Sequence, residues 1–149
     1  MKTFLIPVDF SSVTDAVIDT AVTFARAFDG KVTLLHVVQP PIVTATEYVL
    51  PVDIVREATE VGEKAAKTRL ATYAKLFSEA GIEHASQTRV GPPGPVILDT
   101  AKEISADFII MGSHGHGKLF DFLVGSTASS VIKRAHCGVV IIPPPDKHR

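Results

Sequence analysis

The sequence predicts an α/β chain: a doubly wound, five-stranded parallel sheet with helices on both faces. Three observations carry this expectation. Short runs apolar on both faces alternate with longer stretches of helical period. The alternation runs β-α-β-α-β-α-β-α-β, with no internal repeat and no low-complexity segment. The 149 residues, 46% apolar and 21% charged, suit one folded domain over residues 1–149.

Phe4-Leu-Ile-Pro-Val8 reads as a central strand. Ser11 and Ser12 offer an N-cap to a helix carrying Val13, Val17, Ala21, Phe24 and Phe28, with Gly30 placed as its C′ glycine. Val32–Val38 is a second buried strand. Asp53–Ala80 is rich in Lys, Glu and Ala and stops at Gly81, as a helix does. Glu83–Val90 alternates polar and apolar residues, which suits an edge strand. Pro95 is placed to open a helix reaching about Ser105. Asp107–Met111, Ser126–His136 and Gly138–Ile142 complete the series as strand, helix and strand. The connection over residues 39–51 is long and holds Ile42, Val43, Tyr48, Val49 and Leu50, too apolar for a purely solvated loop. It either packs on the next helix or forms a flap over a ligand.

Fifteen basic against 16 acidic residues leave a net charge of −1. There is no basic excess to neutralise a phosphate backbone, so nucleic acid is not the expected partner. Cys137 is the single cysteine and cannot form an intramolecular disulfide. No apolar run approaches the ~20 residues of a membrane-spanning helix, and the N-terminal apolar run is too short for a signal-peptide core. A soluble cytoplasmic protein is expected.

Ligands of open parallel sheets bind beyond the carboxyl ends of the strands, where the strand order reverses. Two strand ends here are chemically distinctive: Pro7-Val8-Asp9-Phe10-Ser11, and Met111-Gly112-Ser113-His114-Gly115-His116-Gly117-Lys118. Glycines after a buried strand let backbone N–H groups approach an anion and permit positive φ. Gly125-Ser126-Thr127 then stands at a helix start, where a hydroxyl caps the helix and the free N–H groups attract phosphate. Either element alone is more often a turn or a cap; together they favour phosphate. The segment is not a P-loop, because Leu119 follows Gly117-Lys118 where Ser or Thr would hold magnesium. Nor is it a dinucleotide fingerprint, since Phe120 occupies the third glycine position.

The pattern Gly112-x2-Gly115-x9-Gly125-Ser126 follows Asp107-Phe-Ile-Ile-Met111 and precedes Val131-Ile-Lys-Arg-Ala-His-Cys137. With Ile6-Pro7-Val8-Asp9-Phe10-Ser11 and Leu34-Leu35-His36-Val37, it resembles the universal stress protein family across essentially the whole chain, and specifically its ATP-binding branch. The resemblance implies an adenine nucleotide alpha hydrolase-like fold with strand one beside strand four. It implies that Pro7, Val8 and Asp9 line the adenosine side and that the Val37 backbone meets the adenine edge. Gly112, Gly115, His116, Gly117 and Lys118 would surround ribose and phosphates, and Gly125, Ser126 and Thr127 would hold phosphate oxygens. The implied cofactor is ATP, with Mg2+ entering through the nucleotide. Two features depart from the family: Gly138 stands where proline is usual, and the turn Gly91-Pro92-Pro93-Gly94-Pro95 is unusually rich in proline and glycine.

The six histidines do not make a metal site, since His114 and His116 lack an accompanying Asp, Glu or Cys cluster. His36 reads as a hydrogen-bonded core histidine, Asp9 alternatively as a helix cap, and Cys137 as inert. No hydrolase elbow and no base beside a γ-phosphate is evident, so binding comes first and hydrolysis is slow at most. Gly138–Ile142 is uncharged, strongly β-forming and expected at an edge, which predicts a homodimer through that strand. The expected function is therefore a dimeric nucleotide sensor in stress regulation, acting on a protein partner still to be identified. The alternatives are a nucleotide-independent interaction module and an ATP hydrolase or phosphotransferase.

Overall fold

The computed structural model describes residues 1–41, 49–114 and 124–145. Its elements, in chain order, are β1 (Thr3–Pro7), α1 (Thr14–Ala27), β2 (Lys31–Val38), α2 (Val52–Glu79), β3 (His84–Val90), α3 (Pro93–Glu103), β4 (Phe108–Gly112), α4 (Ser126–Arg134) and β5 (Gly138–Ile142). The strands form one parallel sheet in the order β3-β2-β1-β4-β5. The expected α/β fold class and the β1–β4 adjacency are both present.

Period-two alternation divides the core between the two faces. Phe4, Ile6 and Ile110 pack with Val17, Ile18 and Ala21 of α1 and with Leu70 and Phe77 of α2. Leu5, Ile109 and Met111 point the other way, onto Ile97 and Ala101 of α3 and Ala128 and Val131 of α4. Because β1 is central, its chain end is flanked by helices on both sides. At the opposite end of the sheet the Asp107 carboxylate accepts the Thr3 N–H at 2.8 Å and meets Lys2 Nζ at 3.1 Å. These partners, the backbone N–H foremost, hold the carboxyl below its usual range.

Several local expectations are corrected. α1 opens at Thr14 with Val13 at the cap position and no side-chain cap; neither Ser11 nor Ser12 caps it. The turn is instead closed by Ser11 N–H donating to Asp9 Oδ1 at 3.0 Å and Thr14 N–H donating to the Ser11 carbonyl at 3.1 Å. After α1, Asp29 takes the left-handed conformation (φ 47°), not Gly30. Gly30 is glycine for space, since a Cβ there would collide with the Phe4 ring. α3 begins at Pro93, two residues before Pro95, with Pro92 extended at the cap. Pro95 falls in the first turn, where its missing N–H had no intrahelical partner to lose. α4 ends at Arg134 because Ala135 is already extended (φ −65°, ψ 142°). β3 and β5 are the two sheet edges, as expected. Residues 42–48, the heart of the expected flap or packing loop, lie outside the described residues.

Candidate functional site

Between β1 and β4 the chain reverses its direction of travel across the sheet, and a cavity of about 500 Å3 opens beyond their carboxyl ends. That volume falls within the range typical of small-molecule sites. Eight of the twelve sequence-predicted residues line it: Pro7, Val8, Asp9, Val37, Gly112, Gly125, Ser126 and Thr127. The other four, Gly115, His116, Gly117 and Lys118, lie outside the described residues.

The β1 side is polar at its rim. Asp9 lines the cavity while its Oδ1 fixes the turn through Ser11 N–H; it does not cap α1, which has no side-chain cap, so the helix-cap reading of this residue is corrected. His36 is half-buried on the cavity wall, not in the core, and its Nδ1–H donates to the Val8 carbonyl at 2.8 Å. A carbonyl only accepts, which places the proton on Nδ1.

The β4 side is built from backbone. A Cβ on Gly112 would stand 2.5 Å from Val13 Cγ1, and one on Gly125 would stand 3.1 Å from the Ser113 carbonyl oxygen. Gly112 is therefore required for close approach, not for the positive φ expected of it; among the described residues only Gly81 and Gly91 are glycines with positive φ. Gly125 N–H donates to the Ser113 carbonyl at 2.7 Å, and Ser113 N–H donates to the Ile142 carbonyl at 2.8 Å, which ties the start of α4 to β4 and β5. Ser126 is the first helical residue and makes no side-chain cap, a correction to the expected hydroxyl cap. The first-turn N–H groups of α4 thus have neither an intrahelical acceptor nor a capping side chain, and no acidic residue stands in that turn. With Ser126 and Thr127 on the wall, the positive end of the helix dipole meets the cavity.

Between these sides the wall is apolar: Val13 at the start of α1, Val17 of α1, Leu35 and Val37 of β2, Ile97 and Met111. Sequence reasoning missed Val13, Thr14, Val17, Ser113 and His114 as wall residues. The signal was available for some of them, since Ser113 and His114 occupy the x positions between Gly112 and Gly115. His114 Nδ1 lies 3.0 Å from Ser113 Oγ. Among the described residues no cluster of three His, Cys, Asp or Glu side chains could hold a metal ion. Likewise, no helix there is long and apolar enough to cross a membrane. Cys137 packs against the sheet face under α3 and α4, and burial pushes its thiol pKa up, away from reactivity.

An apolar slot with a carboxylate at one rim and an open helix N-terminus at the other can hold a planar ring joined to an anionic group. The model of the universal stress protein family matches residues 1–143. A universal stress protein of Methanocaldococcus jannaschii is 32% identical over 148 residues, covering 98% of this chain and 84% of the relative. The structure of universal stress protein UspA from Lactobacillus plantarum matches with a TM-score of 0.82 at 26% identity, covering 95% of this chain and 97% of that one. The fold is shared with a universal stress protein from Archaeoglobus fulgidus in complex with dAMP (TM-score 0.66, 24% identity, 95% and 98% coverage). It is shared also with a universal stress protein in complex with cAMP (TM-score 0.70, 20% identity, 97% and 98% coverage). With its sheet order, its spaced glycines and a family match over almost its whole length, this chain belongs to the universal stress protein family.

Proposed function

We propose that this chain is an ATP-binding member of that family, acting as a dimeric nucleotide sensor in stress regulation. One observation carries the reading: the uncapped, acid-free N-terminus of α4 faces the same cavity as the Asp9 carboxylate. The helix end offers N–H donors and a positive dipole to phosphate oxygens. Asp9 offers an acceptor to a ribose hydroxyl or to a water on a nucleotide-bound Mg2+. The apolar wall at Val8 and Val37 suits the base. Gly115, His116, Gly117 and Lys118 complete the phosphate side in this reading, with Lys118 as the cation for phosphate. The complexes of two proteins of this fold with dAMP and cAMP support the adenine nucleotide class.

Calorimetric titration with ATP and Mg2+, with AMP and GTP as controls, tests it. Micromolar ATP binding near one per chain, weaker for GTP, is the expected result. No heat, together with no nucleotide released on denaturation, overturns it in favour of a nucleotide-independent interaction module. The role is binding; turnover well above one per minute that is lost in Asp9→Asn would replace it with an ATP hydrolase.

The edge at β5 supports the dimer. Among the described residues Gly138–Ile142 pairs only with β4, and its four large residues remain half-buried and uncharged. An uncovered strand of this kind is an aggregation template, and antiparallel pairing with its copy removes the hazard. Light scattering at tens of micromolar should return a dimer; a monomer there sinks this part of the reading.

A further inference from the structure

Three buried side-chain polar atoms among the described residues have no hydrogen-bond partner: Ser11 Oγ, Thr14 Oγ1 and His114 Nε2. They are not scattered. All three stand on the two chain segments that leave β1 and β4, and Thr14 and His114 line the cavity. Buried polar groups are otherwise paired in folded proteins, so a cluster of orphans at one cavity asks for a partner supplied from outside the chain.

Thr14 is the most telling of them. It is 2% exposed. Helical threonines have an internal remedy, donating the hydroxyl to the carbonyl four residues earlier. Thr20, Thr23, Thr59, Thr68, Thr72 and Thr100 all do so, at 2.7–3.4 Å. For Thr14 that acceptor would belong to Phe10, which lies outside the helix in the left-handed conformation (φ 61°). The usual remedy is closed to it by the backbone. A valine would fill the same space without an orphaned hydroxyl.

We propose that Thr14 is a further specificity-determining contact of the cavity, its hydroxyl pairing with an oxygen of the ribose–phosphate part of the bound nucleotide. The proposal rests on the nucleotide reading above. Thr14 directly follows Val13, which packs against Gly112, so it stands beside the glycine-built phosphate side and at the positive end of α1. Rotation about χ1 moves Oγ1 among three staggered positions, and the proposed contact uses one that faces the cavity.

The test compares wild type with Thr14→Val and Thr14→Ser by thermal melting without ligand and by calorimetric titration with ATP. Thr14→Val should melt at or above the wild-type temperature while its ATP affinity falls about tenfold, the scale of a lost hydrogen bond to a charged group. Thr14→Ser should stay within about twofold of wild type, since it keeps the hydroxyl. Wild-type ATP binding with unchanged affinity in Thr14→Val overturns this proposal alone. No ATP binding by wild type overturns the nucleotide reading, and this proposal with it. If Thr14→Val melts early, Thr14→Ala takes its place, and wild-type affinity in that variant overturns the proposal equally.

Discussion

The turns that leave β1 and β4 flank one cavity and are built by opposite means. Between Pro7 and Thr14 there is no glycine, and the chain bends by placing Phe10 at φ 61°. Side chains hold that conformation: the Phe10 ring lies 4.6 Å from His36 and 6.3 Å from Tyr73, with the Arg69 guanidinium 4.2 Å from its centroid. Tyr73 in turn donates to Asp15 at 3.0 Å, and burial and that bond push its phenol pKa up, keeping it a donor. On the other side, glycines close β4 (Gly112) and precede α4 (Gly125), and backbone hydrogen bonds from Gly125 and Ser113 tie the two together. A wall built from side chains fixes an acceptor, the Asp9 carboxylate, in place. A wall built from backbone leaves N–H donors open to a ligand. The cavity needs one of each.

The largest break in this contrast comes from putting a side chain on the backbone-built wall. Gly112→Ala sets a Cβ 2.5 Å from Val13 Cγ1, and it should cost about 1–3 kcal/mol of stability and weaken ATP binding together. Urea denaturation measures the first effect and titration the second. Adding Val13→Ala should recover at least half of the lost stability, because it removes the atom in the way. A double variant no more stable than the single one would mean that Gly112 is glycine for another reason.

Phe10 sharpens the other side of the contrast. Phe10→Ala keeps the left-handed strain and loses the ring contacts, and should cost about 2 kcal/mol. Phe10→Gly loses the same contacts but relieves the strain, and should be about 0.5–1 kcal/mol more stable than Phe10→Ala after its extra unfolded-state entropy is counted. Chemical denaturation orders the two variants. Equal stabilities would show that the β1 turn bears no strain.

This asymmetry also explains what was legible in the sequence. The strands and helices were, because alternating periods mark both faces of a parallel sheet; β5 was placed at Gly138–Ile142, where it lies. So was the backbone-built wall, since Gly112 and Gly125 announce themselves by residue type. The side-chain-built wall was only half legible. Asp9 stood out by its charge, but nothing local marks Phe10 as left-handed, because its ring packs on His36, Arg69 and Tyr73, distant in sequence, and the orphaned Thr14 hydroxyl follows from Phe10. Helix starts were misjudged for a related reason. Ser11, Ser12 and Ser126 are good caps by type, yet Asp9 closes the first turn and the Gly125 backbone opens α4. His36 read as a core residue because its strand neighbours are buried, whereas its ring sits at the strand's carboxyl end, against the cavity.

The smallest expected effect separates the two tasks of Asp9. Its Oδ1 accepts Ser11 N–H, a bond that the amide oxygen of asparagine can also accept. Asp9→Asn should therefore change stability by no more than about 0.5 kcal/mol, whereas Asp9→Ala, which has no acceptor, should cost about 1 kcal/mol. The two variants part company on the ligand. If the carboxylate serves only the turn, Asp9→Asn binds ATP as wild type does. If its charge also receives a ribose hydroxyl or a magnesium-bound water, affinity falls by about tenfold while the denaturation midpoint stays put. A loss of stability in Asp9→Asn above 1 kcal/mol would contradict both outcomes, because it would make the negative charge itself a structural element of the β1 turn.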